Sequence, residues 1–308
     1  MIEGQEGVTW PQWLALARAC EQSGIGTLYR SDHYIDLSGR HPERGSLDAW
    51  ATLSALAAVT ETIRLGTMVS PATFRHPSVL AKVAATADLI SGGRIDVGLG
   101  AGWHEREHDA YGFPFPPTGE RMEMLEEQLE IVVRTWSEDA VTFEGRHYAL
   151  HDLDAQPRPV QKPHPPLILG GNAGPRSARL AARYADEYNI AFPTRAQIEE
   201  RRSNIERACK QAGRDPIPFS VMTTVIVGDS EQDLEQRVRR VAERTGADAG
   251  TLINDPPETW ILGTVERAAA QIQQLSDLGV SRLMCQHLAH EDTEFVHVLG
   301  EQLAPLVG

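Results

Sequence analysis

Lysine is almost absent from this sequence: of 29 basic residues only Lys82, Lys162 and Lys210 are lysines, and 43 Asp and Glu stand against them. The formal net charge is −14 and the pI about 5.2. So acidic a chain lacks the clustered cations that displace counterions from a phosphate backbone, which argues against nucleic acid and against an anionic membrane surface as partners. Cysteine is scarce as well. Cys20, Cys209 and Cys285 are odd in number, far apart and form no Cys-x-x-Cys pair, which fits reduced thiols better than a disulfide framework. No apolar run approaches the roughly 20 residues that a membrane span needs. The opening Met1-Ile2-Glu3-Gly4-Gln5 shows neither the basic nor the apolar stretch of a secretory signal. The expectation is a cytoplasmic protein.

What is present is a regular alternation. Of the 308 residues 41% are hydrophobic, enough for a sizeable core. Strand-like and helix-like stretches follow one another from end to end, the signature of a parallel sheet with crossover helices. Strands are predicted at 1–3, 26–30, 63–68, 94–98, 167–169, 187–190, 220–227 and 282–285. Helices are predicted at 11–22, 48–59, 78–90, 118–137, 175–184, 196–212, 231–244, 265–278 and near 293–303. A small hairpin around Glu144-Gly145-Arg146 and a proline-rich connection at 156–166 are the insertions. The count of eight strands favours a single closed (β/α)8 barrel over residues 1–308, with no repeat beyond the β/α period.

In such a barrel the chemistry sits where strands end and βα loops begin. Ser31-Asp32-His33-Tyr34 follows the second strand, and a carboxylate beside an imidazole can tune it for proton transfer. A plain loop-capping pair is the alternative. Gly66-Thr67-Met68-Val69-Ser70-Pro71 marks an irregular end to the third strand. Gly98-Leu99-Gly100-Ala101-Gly102 resembles a dinucleotide fingerprint, but its last glycine arrives one residue early. Close backbone approach to a planar cofactor is the better use of these glycines. His104-Glu105-Arg106-Glu107-His108 formally satisfies H-E-x-x-H, with Glu127 at a plausible distance for a third zinc ligand. Its charged middle and the early stops at Gly112 and Pro114 favour a solvated or cofactor-facing loop, with a zinc hydrolase on His104 and His108 as the remote reading. Gly170-Gly171-Asn172-Ala173-Gly174-Pro175-Arg176-Ser177 joins a strand to a helix start. Free N–H groups, glycines and an arginine there make an anion site.

Taken together, these clusters are similar to those of the luciferase-like monooxygenase superfamily, and more closely to its coenzyme-F420-dependent oxidoreductase branch. The matching residues are Ser31-Asp32-His33, Leu65-Gly66-Thr67-Met68-Val69 with Phe74-Arg75-His76-Pro77, and Gly92-Gly93-Arg94. Gly98 to Trp103 with Tyr111-Gly112, Lys162-Pro163-His164-Pro165-Pro166 and Gly170-Gly171 through Ala185-Asp186-Glu187 complete the set. The resemblance implies a luciferase-like barrel with the isoalloxazine-type ring at its C-terminal mouth and a non-proline cis peptide at Met68–Val69. It implies ring contacts from Asp32, Thr67, Met68 and Val69 on one side and from Gly102, Trp103 and Arg106 on the other. The phosphate would lie on Gly170, Gly171, Asn172, Gly174, Arg176 and Ser177. In the F420-dependent glucose-6-phosphate dehydrogenases a His at the position of His33 is the acid/base, with a Trp and a Glu as partners. Here Leu37 and Trp103 stand at those two positions, which argues against sugar-phosphate oxidation. The implied function is an F420-dependent oxidoreductase acting by hydride transfer on a small organic substrate, with an FMN-dependent monooxygenase as the alternative. A homodimer is also implied.

Overall fold

The computed structural model describes residues 1–41 and 43–307. In chain order the first half contains α1 (Trp10–Ser23), β1 (Thr27–Arg30), α2 (Ala49–Val59), β2 (Arg64–Thr67), β3 (Ser70–Pro71), α3 (Pro77–Ser91), β4 (Ile95–Gly100), α4 (Glu105–Tyr111) and α5 (Thr118–Ser137). A hairpin of β5 (Val141–Glu144) and β6 (Ala149–Leu153) follows, then β7 (Leu167–Gly170), α6 (Pro175–Tyr184), β8 (Glu187–Ala191) and α7 (Arg195–Gln211). The last part holds β9 (Phe219–Gly228), α8 (Glu231–Thr245), α9 (Ala249–Asn254), β10 (Ile261–Thr264), α10 (Val265–Asp277), β11 (Arg282–Gln286) and α11 (Thr293–His297).

Parallel pairing runs β1-β2-β4-β7-β8-β9, and β11 pairs β9. The ring closes through residues 1 and 2. Ile2 N–H donates to Tyr29 O at 2.9 Å and Ser31 N–H to Ile2 O at 3.1 Å, while the Met1 amine donates to Cys285 O at 2.9 Å and His287 N–H to Met1 O at 3.0 Å. The first strand is therefore real but only two residues deep. Towards the N-terminal ends of the strands, β1 and β11 stand apart around a cavity of about 510 Å3 that Leu16, Cys20, Leu28 and Leu283 help to line.

Local sequence explains the borders. Thr194 and Gln197 cap α7 reciprocally, each side chain taking the other's backbone N–H. Gly24 ends α1 in the left-handed conformation at φ 78°. The main core fills the space between sheet and helices, with Trp13, Leu16, Leu28, Trp50, Leu53, Leu56, Leu65 and Leu80 all buried. Inside the barrel Tyr29, Met68, Ile168, Met222 and Met284 form one layer, with Met1 and Val69 packed on it. Tyr29 donates to Asp96 at 2.7 Å, and Arg282 donates to the Tyr29 hydroxyl at 2.5 Å and pairs with Glu187 at 3.3 Å.

The expected eight strands are all present. Among the short elements not foreseen are β3, α4, α9 and β10, the last pairing with the outer half of β9 from Ile261 opposite Val225 onwards. The final helix is also not uniform, since residues Val298–Leu303 form a π turn between α11 and a last α turn, Ala304–Val307. Within it Gly300 lets the chain pass Ser23, whose carbonyl oxygen would lie 2.3 Å from an added Cβ.

Candidate active site

β1 delivers Ser31, Asp32 and His33 to the mouth of the barrel, and all three are fixed by partners distant in sequence. The Ser31 hydroxyl accepts from Gly4 N–H at 2.9 Å and donates to Gln5 at 2.5 Å. Asp32 is buried and takes a two-pronged pair from Arg75, at 2.5 and 3.2 Å, plus a hydrogen bond from Ser70 Oγ at 2.6 Å. Arg75 also donates to Asp48 at 2.8 Å and to the Tyr34 hydroxyl at 3.0 Å.

His33 Nδ1 lies 2.7 Å from Glu107 Oε2, with side-chain exposures of 11% and 0%. The same carboxylate accepts the backbone N–H groups of Tyr34 and Ile35 through Oε1. Burial alone pulls an imidazole down, but the hydrogen bond and charge of Glu107, with Glu3 and Asp32 behind, hold His33 above its ordinary value. Burial acts to raise Glu107, and the His33 contacts and two amides outweigh it and hold the carboxyl below its ordinary value. Trp103 meets the His33 ring edge-on at 5.9 Å between centroids and leaves 64% of its own surface exposed. His104 lies 6.2 Å from His33, and burial keeps it below its ordinary value against the opposing pull of the Glu107 charge.

This overturns the solvated-loop expectation for residues 104–108. The segment opens a helix whose inner face carries Glu107 and His108, both buried. Its residues do not converge as metal ligands. His108 uses both ring nitrogens, on Thr73 Oγ1 at 2.6 Å and His104 O at 2.8 Å. Glu127 is spent on the hairpin, accepting the N–H groups of Arg146, His147 and Tyr148.

A second correction concerns the glycines. The peptide Met68–Val69 is cis, and the Val69 side chain occupies the space that Gly98, Gly100 and Gly170 leave open. A Cβ on these would meet Val69 methyls at 3.1, 2.8 and 2.9 Å, and on Gly98 also the Thr67 carbonyl oxygen at 2.1 Å. At these three positions the missing side chain makes room for Val69. Thr67 is likewise turned to the sheet, its hydroxyl donating to Gly98 O at 3.0 Å and accepting Gly98 N–H at 3.2 Å. Gly102 differs: it adopts φ 80°, a conformation glycine alone takes cheaply, where the chain turns toward Trp103.

At the end of β7 the anion-site segment forms a tight loop around Tyr188. The Tyr188 hydroxyl accepts Ala173 N–H at 2.8 Å and lies 2.6 Å from Ser177 Oγ. Gly171 N–H is committed to Asn189 O at 3.2 Å, while nothing lies within 4 Å of a Cβ on Gly174. No side chain caps α6, and its first intrahelical bond is Ala178 N–H to Gly174 O. The first-turn amides of Arg176 and Ser177 therefore point out of the helix start, as an anion requires. The Arg176 side chain itself is paired with Glu126 at 2.9 Å, and Arg106 donates to the Asp36 carbonyl beside Gly39.

Sequence reasoning missed Glu107 and also Phe192. Phe192 follows β8 with φ 48°, an outlier for a bulky residue, and is 38% exposed.

Comparison with known proteins agrees with this architecture. The family model described as luciferase-like monooxygenase matches residues 2–282. An F420-dependent glucose-6-phosphate dehydrogenase of Kineococcus radiotolerans is 37% identical over 93% of this chain and 90% of its own. An FMNH(2)-dependent dimethylsulfone monooxygenase of Pseudomonas putida is 27% identical over 95% of this chain and 86% of its own. The crystal structure of monooxygenase RslO1 from Streptomyces bottropensis superposes with a TM-score of 0.85 at 24% identity, covering 100% of this chain and 99% of that one. The chain belongs to the luciferase-like monooxygenase family.

Proposed function

We propose that this protein is an F420-dependent oxidoreductase acting on a small organic substrate at the barrel mouth. The observation that carries the reading is His33, a protonatable imidazole held by a buried carboxylate beside the exposed indole of Trp103. When bound, the deazaflavin supplies a two-electron transfer as hydride. His33 exchanges the accompanying proton, a task typically worth 10²–10⁴ in rate. The residues present fit such a group. The uncapped start of α6 and the open space at Gly174 suit a phosphate, and a large exposed aromatic at the mouth suits a planar ring. Gly102 and Trp103, with Met68, Val69 and the Asp32 network, are assigned to the ring. Gly170, Gly171, Asn172, Gly174, Arg176 and Ser177 are assigned to the phosphate, the first-turn amides of Arg176 and Ser177 doing most of the binding until Arg176 exchanges Glu126 for the anion. Arg106 acts through the 36–39 loop it holds.

The sugar phosphate named for the Kineococcus relative is left out of the proposal, since Leu37 and Trp103 replace the expected partners. The Pseudomonas relative supports FMN as the second reading. We assign the protein to the cytoplasm, as its scattered free cysteines suggest; among the described residues no helix is long and apolar enough to cross a membrane. A homodimer is supported by exposed apolar residues along α2 and α3, where Val59, Val79, Leu89 and Ile90 are each at least 40% exposed. Equilibrium fluorescence titration with F420 and with FMN tests the reading. F420 is expected to bind the more tightly, and Arg176→Ala to weaken it by about 1.5–3 kcal/mol. Tighter FMN binding would transfer the assignment to a monooxygenase, and an unchanged affinity in the variant would remove Arg176 from the phosphate site.

A further inference from the structure

We propose that Glu107 is the positioning residue for His33, fixing the imidazole with its proton on Nδ1 so that Nε2 is the atom that exchanges protons with substrate. The inference rests on the functional reading above and adds a residue to it.

The geometry is specific. Glu107 projects from α4, 74 residues beyond His33, and is buried without any Arg or Lys among its contacts. A buried carboxylate is costly unless every lone pair is used. Here one oxygen takes His33 Nδ1 at 2.7 Å, and the other takes the N–H groups of Tyr34 and Ile35, the two residues that follow His33. One side chain thus fixes both the ring and the backbone that carries it. An ionised carboxylate can only accept, so the Nδ1 atom facing it must bear hydrogen. The neutral ring therefore leaves Nε2 as its free lone pair, and among the described residues Nε2 has no protein partner. His104 is the other imidazole in the cluster. Its buried Nδ1 lies 3.9 Å from Glu107 Oε2, beyond hydrogen-bond reach, and is unpartnered.

The proton balance then closes. In the reducing direction the imidazolium Nε2–H bond breaks as an O–H or N–H bond forms on the substrate, whose two electrons come from the reduced deazaflavin. The ring returns to its neutral Nδ1–H form, and Glu107 stays ionised throughout. The groups facing His33 are Glu107 and His104 from the α4 segment, Trp103 before it, Glu3 from the first strand and its neighbour Asp32, itself paired with Arg75.

The test is a titration of the ¹⁵N-histidine-labelled full chain by long-range ¹H–¹⁵N NMR, with His33 assigned from its missing signals in His33→Asn. Wild type is expected to show the Nδ1–H form when neutral and to titrate above the ordinary 6.5. In Glu107→Gln the amide oxygen can keep the two backbone donors, but the amide NH2 then faces Nδ1. The ring proton should move to Nε2, and the midpoint should fall by about 1–3 pH units, the range for loss of an adjacent opposite charge. A ring held only by packing would move neither signal. A neutral wild-type ring protonated at Nε2, or a midpoint unchanged in Glu107→Gln, overturns the proposal. The first of these needs no Glu107 variant to fold. Turnover of His33→Asn separates the two levels. Activity at the wild-type rate would sink His33 as acid/base, and with it the role of Glu107 in catalysis, whereas failure on the NMR arm alone removes Glu107 and leaves His33 in place.

Discussion

Replacing Arg75 by methionine should leave Asp32 as an uncompensated charge in the barrel wall. Asp32 is 1% exposed at its side chain and Arg75 13%, so solvent does little to screen the pair. Removing one partner of such a buried pair costs about 3–5 kcal/mol. The Arg75–Asp48 contact adds about 1 kcal/mol at most, because Asp48 is 40% exposed. The hydrogen bond from Ser70 Oγ, itself held by Trp50 Nε1 at 3.0 Å, remains but carries no positive charge. Urea unfolding followed by tryptophan fluorescence should thus show Arg75→Met about 3–5 kcal/mol less stable than wild type at neutral pH, with an unchanged denaturant slope. The decisive variant is the double one, Asp32→Asn with Arg75→Met. With no charge left to compensate, it should recover more than half of the loss. A single variant within about 1 kcal/mol of wild type, or a double variant no better than the single, would refute the claim that this pair is held by mutual neutralisation.

Two further outcomes are expected. Gly170→Ala places a Cβ 2.9 Å from a Val69 methyl and should lower stability by about 1–3 kcal/mol, as overpacking does. Adding Val69→Ala should restore most of that in thermal melts, and simply additive losses would show that Val69 is not the obstacle. Light scattering at micromolar concentration should give a dimer mass, and a mass near 33.9 kDa would refute the homodimer.

The barrel was legible because most strands are short, carry apolar residues and end at a turn signal, so period and punctuation agreed. The helix Thr118–Ser137 was located to the residue. Where the reading failed, the deciding partner lay far along the chain. Glu107 sits in a run of charges that periodicity assigns to solvent, and only His33 and two amides in another loop explain its burial. The same holds for Gly98, Gly100 and Gly170, whose small size answers to Val69 in the link between β2 and β3. β10 escaped notice because its four residues pair with the part of β9 that runs past the end of β11, a geometry that strand patterns do not encode.

The two-residue first strand has a consequence for how the molecule opens. Four backbone hydrogen bonds join β11 to β1 through Met1 and Ile2, and two of their donors are Ser31 and His287. Ser31 immediately precedes Asp32 and His33, so this zipper and the floor beneath the His33 imidazole are one stretch of backbone. By comparison β8 and β9 are in register over four residue pairs and β9 and β11 over five. Breathing of a closed ring starts at a short seam, and this one lies directly under His33. Amide exchange at Ser31 and His287 is thus coupled to transient disorder of the loop that carries His33, and a molecule caught in that sub-global opening keeps most of its barrel while losing the His33–Glu107 geometry.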